Sequence, residues 1–125
     1  MPDLSKLILR FFRRSKGRDR VRFTDDTVTR IRSDGVEETI RWDDLDQIAI
    51  LTTDEGPWRE DVFVLLIASD GKSGCAVPQS SDGCERLLER LQKFPGFDNE
   101  AVIKAMGSTS NAKFVCWKRS AASNG

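Results

Sequence analysis

The chain has 125 residues, of which 38 % are hydrophobic and 32 % are charged, with 20 basic and 20 acidic side chains. This length and apolar share are ordinary for one globular domain and argue against disorder along the whole chain. The sequence contains no histidine, which excludes Ser-His-Asp and Cys-His catalysis, His-ligated metals and the usual general base near neutral pH.

The charge is divided unevenly along the chain. Residues 1–22 carry eight basic and two acidic side chains, a balance of +6, whereas the remainder carries twelve basic and eighteen acidic ones, a balance of −6. Such asymmetry predicts a basic arm attached to an acidic body.

Residues 4–16 predict an amphipathic helix within that arm. Its apolar stripe follows i, i+3, i+4, i+7, i+8 spacing and contains Leu4, Leu7, Ile8, Phe11 and Phe12. Its polar side is basic and interrupts any signal-peptide-like stretch, through Arg10, Arg13 and Arg14. We expect the stripe to pack on the protein's own body or on a second copy. The alternative is peripheral contact of residues 4–16 with an anionic membrane surface.

Strand patterns dominate the middle of the chain. They fall at residues 20–24, 27–33, 36–42, 47–53, 62–68 and 114–117, and a further strand follows the Asp70-Gly71 turn and ends near Pro78. Asp34-Gly35 predicts a hairpin turn, and with two turn residues Arg32 would face Glu37 while Ile31 shares a face with Ile40. The unbroken apolar run 62–68 predicts a central strand covered on both faces.

Two helices are predicted towards the C-terminal end. Residues 82–93 carry a leucine-rich apolar stripe, with Asp82 and Glu85 at the spacing of a capping box. Residues 99–106 predict a shorter helix with one apolar side, formed by Val102, Ala105 and Met106.

The three cysteines, Cys75, Cys84 and Cys116, are odd in number, form no CxxC pair and lie in apolar patterns. They predict small buried hydrophobic residues in a reducing compartment, and no apolar run approaches the ~20 residues that span a bilayer. We therefore expect a cytoplasmic protein with no metal and no organic cofactor. The segment 71–73 imitates the end of a P-loop, but Leu66 stands where that motif requires glycine, so a tight turn is favoured.

The loop 54–61 places a tryptophan among acidic residues. The residues are Trp58, Asp54, Glu55, Glu60 and Asp61. An exposed tryptophan would be a protein-binding anchor, because tryptophan is enriched at interface hot spots. The equally weighted alternative is that Trp58 folds back over one end of the sheet. Nucleic acid is not an expected partner, because no strand alternates aromatic and basic residues.

The segment 38–48, Glu-Thr-Ile-Arg-Trp-Asp-Asp-Leu-Asp-Gln-Ile, carries a family resemblance. It resembles a stretch of bacterial pleckstrin-homology-like domains in which a strand runs into Trp-x-x-Ile/Leu-x-x-Ile. The resemblance covers roughly residues 19–94 and implies a bent antiparallel sheet capped by a helix. Two features depart from it: a further helix and strand follow residue 94, and the first hairpin turn, Asp25-Asp26, lacks the basic residues of phosphoinositide-binding members.

We therefore predict an α+β protein with one bent antiparallel sheet or partial barrel of about six to seven strands, capped by the leucine-rich helix. Its expected parts are an N-terminal amphipathic helix at 1–17, a single pleckstrin-homology-like domain at 18–119 and a flexible tail at 120–125. The predicted function is a non-enzymatic binding or scaffolding module, with a protein partner or self-association. The alternative is a small bacterial immunity-type protein that neutralises a cognate toxin.

Overall fold

The computed structural model describes residues 19–54 and 62–119. A short 3-10 helix spans Trp42–Asp44. In chain order, the remaining elements are β1 Arg20–Phe23, β2 Thr27–Ile31, β3 Glu37–Arg41, β4 Leu45–Thr52, β5 Val62–Ala68, β6 Gly74–Pro78, α1 Cys84–Leu91, α2 Asn99–Met106 and β7 Ala112–Lys118. The predicted α+β class is confirmed. The predicted N-terminal helix and tail lie outside the described residues.

The strands form two antiparallel sheets, with orders β1-β2-β3 and β6-β5-β4-β7. The described part of the chain therefore has two antiparallel sheets where a bent sheet or partial barrel was expected, and no barrel closes among these strands. The 3-10 helix turns the chain between β3 and β4, so β4 starts a new sheet instead of extending the first. Strands β3 and β6 are neighbours by packing, and Cys75 Sγ lies 3.4 Å from the carbonyl oxygen of Glu38.

The β2–β3 hairpin has a longer turn than expected. Arg32 N–H donates to the Val36 oxygen at 2.9 Å, which leaves three residues in the turn, with Gly35 at φ 92°. A three-residue loop that ends in a left-handed glycine is a common hairpin connection. The added residue changes the register, so Ile31 faces Glu37 and Ile40 lies opposite Val28. The expectation that Ile31 and Ile40 share a face is wrong for this reason.

The main core lies between the two sheets and the two helices. Strand β5 is paired on both sides, by β4 and β6, as its apolar run predicted. Both helices bury one side against this core, and α2 has the predicted bounds. The fully buried aliphatic side chains of the core are Val28, Leu45, Ile48, Ile50, Val64, Leu66, Val77, Leu87 and Leu91. Within the described ranges, neither helix is long and apolar enough to cross a membrane.

The two helices begin in different ways. Asp98 caps α2, because its carboxylate accepts the N–H groups of Glu100 and Ala101. The N-cap residue of α1 is Gly83, at φ 91° and without a side-chain hydrogen bond, so α1 begins two residues after Asp82. The chain is held there by the backbone instead, since Val21 N–H donates to the Asp82 oxygen at 2.9 Å.

The opposite face of the four-stranded sheet carries a second apolar cluster. Its members come from alternate positions of β4, β5 and β6: Ala49, Leu51, Phe63, Leu65, Ile67 and Ala76. Successive side chains of a strand point to opposite faces, so these residues face away from the main core. The four-stranded sheet is therefore apolar on both faces.

Candidate functional site

The residues that sequence analysis proposed for partner binding fall mainly outside the described ranges. These are Trp58, Glu55, Glu60 and Asp61 of the loop and the stripe and arginines of the N-terminal segment. Asp54 is described and exposed, and its N–H donates to Asn111 Oδ1 at 3.2 Å. The structure therefore places one member of the acidic loop beside the start of β7.

All three cysteines are buried and free of disulfides. Burial raises the pKa of Cys75 to about 12 and that of Cys116 to about 11. A thiol acts as a nucleophile through its thiolate, which these environments disfavour. Cys75 and Cys116 therefore serve packing, as their apolar patterns predicted.

The P-loop-like turn is filled by its own aspartate. Asp70 Oδ1 accepts the N–H groups of Lys72 and Ser73, both at 2.8 Å, and its Oδ2 accepts the Ser73 hydroxyl at 2.7 Å. These are the backbone donors that a phosphate would use in such a turn. The carboxylate occupies them, which supports the tight-turn interpretation of residues 71–73.

A buried ionic network joins the first sheet to the start of the described chain. The Arg30 side chain has no solvent exposure and binds Asp19 and Glu38, with shortest distances of 2.6 Å and 2.9 Å. Asp19 also accepts the Ser33 N–H at 3.2 Å. The sequence did not predict this network, because Arg30 stands in a strand pattern where charge usually marks the solvent side. The network satisfies its charges internally, which is typical of a structural element.

The tryptophan that carries the family resemblance belongs to an aromatic cluster. Trp42 is buried, and its Nε1 donates to the Thr24 oxygen at 2.8 Å. The Phe94 ring lies 5.7 Å from that of Trp42 and 4.9 Å from that of Trp117. The Arg90 guanidinium covers Trp42 at 4.7 Å. The cluster ties the 3-10 helix to the end of α1 and to β7.

The outer side of α2 is the most apolar exposed feature of the described helices. Ile103 is 72 % exposed and Met106 is 44 % exposed, one turn apart, while Ala101, Val102 and Ala105 are buried beneath them. We call Ile103 and Met106 the α2 patch. The sequence pattern predicted Met106 on the buried side of the helix, whereas the structure leaves it at the surface. One sequence feature could have indicated this exposed side. Ile103 lies outside the predicted apolar stripe, so the helix has apolar residues on two sides.

Other surface features offer less chemistry. An open depression of about 270 Å³ is lined by Arg20, Val21, Arg22, Ile31, Asp82 and Gly83. Its charges have both signs, and the Asp82 backbone is bonded to Asp19 and Val21. Among residues 19–54 and 62–119, no group of three metal-ligating side chains comes together.

Comparisons of the chain with known proteins found no matching family model, no matching curated protein and no matching solved structure.

Proposed function

We propose that this chain is a non-enzymatic binding module that holds a protein partner through the α2 patch. The observation that carries the proposal is the exposure of Ile103 and Met106 on a helix whose other side is anchored in the core. Side chains held on a rigid element lose little freedom on binding, which favours their use as interface anchors. The Asp98 cap and the packing of α2 against β7 provide that rigidity.

The chemistry of the described side chains supports a binding role over catalysis. The sequence has no histidine, and burial raises the pKa values of the Cys75 and Cys116 thiols. The buried Arg30 is engaged by two carboxylates. We assign these thiols and this ionic network to packing and rigidity. The exposed apolar side of α2 is then the feature that a partner would recognise.

The charge of the described residues indicates what kind of partner fits. Residues 19–54 and 62–119 carry 13 basic and 16 acidic side chains, a balance of −3. A partner with an apolar contact surrounded by basic groups would complement the patch and this charge. The immunity-type alternative rests on the same acidic character, with a basic toxin as the partner. A toxin gene adjacent to this one, and protection of cells that express both, would favour that alternative.

The proposed pleckstrin-homology-like fold is supported by the position of the segment 38–48. Trp42 lies where the first sheet ends and packs on Phe94, just after α1. The pairing of β7 with β4 adds a strand beyond the region that the resemblance covers. An experimental structure with the strand order traced through residues 19–94 would test this relationship.

Two matched double variants test the α2 patch. Ile103→Ala with Met106→Ala removes the patch, whereas Glu100→Ala with Lys104→Ala changes exposed residues of the same helix. Proteins captured by the wild type from its native cells would be identified and purified, and their affinities measured by calorimetry. We expect the patch variant to bind at least about tenfold more weakly, a change of ~1.4 kcal/mol, and the control to bind normally. Equal affinities of the two variants, both folded, would refute the proposal.

A further inference from the structure

The second apolar cluster is buried more deeply than its own strands can explain. Ala49, Leu51, Phe63, Leu65 and Ala76 are between 0 and 8 % exposed. Neighbouring strands flank these side chains at about 5 Å but do not lie above them. An uncovered face of an antiparallel sheet normally carries polar side chains towards water. This face must therefore lie under a further layer.

The described helices and the first sheet do not supply that layer. Their buried apolar residues all belong to the main core, on the opposite face of the four-stranded sheet. Among residues 19–54 and 62–119, the second cluster draws only on β4, β5 and β6. Lys113 pairs with Leu51 and so lies on the cluster's face, where burial lowers the pKa of its ammonium group. Val115, which pairs with Ala49 on the same face, is 37 % exposed, so the cover reaches β7 only in part.

Three stretches of the chain lie outside the residues that the structure describes, and they differ greatly in apolar content. Residues 55–61 contain a single aromatic residue, and residues 120–125 contain only alanine, serine, asparagine and glycine. Residues 1–18 contain the predicted apolar stripe, which consists of Leu4, Leu7, Ile8, Phe11 and Phe12. Each such side chain gains ~1.5–3 kcal/mol when it is buried, so this stripe requires a partner surface of comparable size.

The start of the described chain lies close to the edge of that face. The Asp19 oxygen accepts the Asp82 N–H at 3.0 Å, four residues after β6 ends at Pro78. Strand β6 is an outer strand of the four-stranded sheet and contributes Ala76 to the cluster. Only residues 17 and 18 separate a helix over residues 4–16 from Asp19, and they can extend ~7 Å, so the C-terminal end of that helix would lie near this edge. A helix over residues 4–16 would be ~20 Å long and would cross β4, β5 and β6, which together span ~10 Å between outer strands.

We infer that residues 4–16 form a helix that lies on the second apolar cluster of the same chain. Its stripe covers Leu51, Leu65 and their neighbours, and its arginines face water above the acidic body. The helix is then the third layer of the domain, and the four-stranded sheet is enclosed between it and the main core. This surface is separate from the α2 patch, and the inference does not depend on the proposed function.

Thiol labelling of the full-length protein tests the inference. Leu65→Cys places a reporter in the cluster, and Val36→Cys places one at an exposed position, while the native cysteines are buried. We expect the thiol at position 65 to react at least about a hundredfold more slowly than the thiol at position 36. Adding Leu7→Gln and Phe11→Gln should restore rapid labelling at position 65, whereas Lys6→Gln with Arg13→Gln should not.

Several outcomes would overturn the inference. Equal labelling rates at positions 65 and 36 would mean that the face is open. Protection that disappears on dilution, together with a dimer in light scattering, would assign the cover to a second copy. Unchanged protection after Leu7→Gln and Phe11→Gln, with loss of binding to phosphatidylserine vesicles, would place the stripe on a membrane.

A second measurement avoids substitutions in the stripe, which could prevent folding. In hydrogen exchange of the wild-type monomer without lipid, amides of residues 4–16 should be protected, because an isolated helix of this length is marginal in water. Complete exchange of these amides within seconds would also overturn the inference.

Discussion

Arg30 donates to one carboxylate oxygen of Asp19 from two of its nitrogens, Nε at 3.0 Å and Nη2 at 2.6 Å. The exposed fractions of the two side chains are 0 % and 3 %. Glu38 accepts from the third guanidinium nitrogen, Nη1, at 2.9 Å. The pair thus fixes the chain just before β1 against β2, at the point where the N-terminal segment leaves the described domain.

Replacing Asp19 with asparagine should strongly destabilise the protein, because it removes one charge of a buried pair. We expect the free energy of unfolding in urea to fall by ~1.5–3 kcal/mol, since Arg30 keeps its ion pair with Glu38. The control is Asp43→Asn in the pair with Arg41, whose atoms are 3.7 Å apart and whose side chains are 66 % and 89 % exposed. That change should cost no more than ~0.5 kcal/mol. Similar losses for both variants would contradict a structural role for the buried pair.

Alanine at Gly83 should be more harmful than alanine at Gly35, although both glycines have almost the same backbone angle. Their φ values are 91° and 92°, so the left-handed conformation penalises both substitutions by ~1–2 kcal/mol. A Cβ at Gly83 would lie 2.3 Å from the Val21 oxygen, whereas a Cβ at Gly35 meets nothing within 4 Å. We expect Gly83→Ala to cost a further ~1–3 kcal/mol in urea unfolding. Equal costs would show that β1 can move away from α1 freely.

Arg119 should connect the last strand to the 3-10 helix. Its Nε donates to the Leu45 oxygen at 2.6 Å, and its Nη2 donates to the Trp42 oxygen at 2.8 Å. Lysine cannot reproduce this fork, so Arg119→Lys should lower the free energy of unfolding by ~1–2 kcal/mol. The neighbouring exposed change Lys118→Arg is the control, with an expected effect within ~0.5 kcal/mol. If both variants have the same free energy of unfolding as the wild type, the two hydrogen bonds of Arg119 do not stabilise the fold.

The turn between β5 and β6 should show a pH-dependent contribution to stability. Hydrogen bonds from the Ser73 and Lys72 N–H groups and the Ser73 hydroxyl lower the pKa of Asp70 from 3.8 to about 2. The ionised form is therefore favoured in the folded state. Its contribution to stability is fully present above pH 3.8 and is lost as the pH falls towards about 2.

A carboxyl NMR titration should give a midpoint for Asp70 near 2, as its hydrogen bonds require. Ser73→Ala removes the hydroxyl donor and should raise the midpoint, whereas Lys72→Ala keeps the backbone donor and should change it less. A wild-type midpoint close to 3.8 would mean that the turn does not hold the carboxylate in solution.

The outer side of α2 was only partly predictable. The periodicity of residues 99–106 gave the helix its bounds and placed Val102 and Ala105 inside. The same pattern assigned Met106 to the buried side, yet the helix sits so that Met106 and Ile103 reach the surface. Periodicity defines a stripe, but the rotation of a short helix depends on which surface it meets. The exposure of Ile103 and Met106 therefore follows only from the way α2 packs against β7.

Local pattern by itself determined the α+β class, the doubly paired strand β5, helix α2 and the burial of the three cysteines. These features depend on side-chain period and turn chemistry within a few residues, which the sequence contains directly. The tertiary structure decided the separation into two sheets, the pairing of β7 with β4 and the burial of Arg30 beside Asp19. Each of these depends on contacts between distant segments, where a strand's partner is chosen by the available edge and a charge's cost by the groups that surround it.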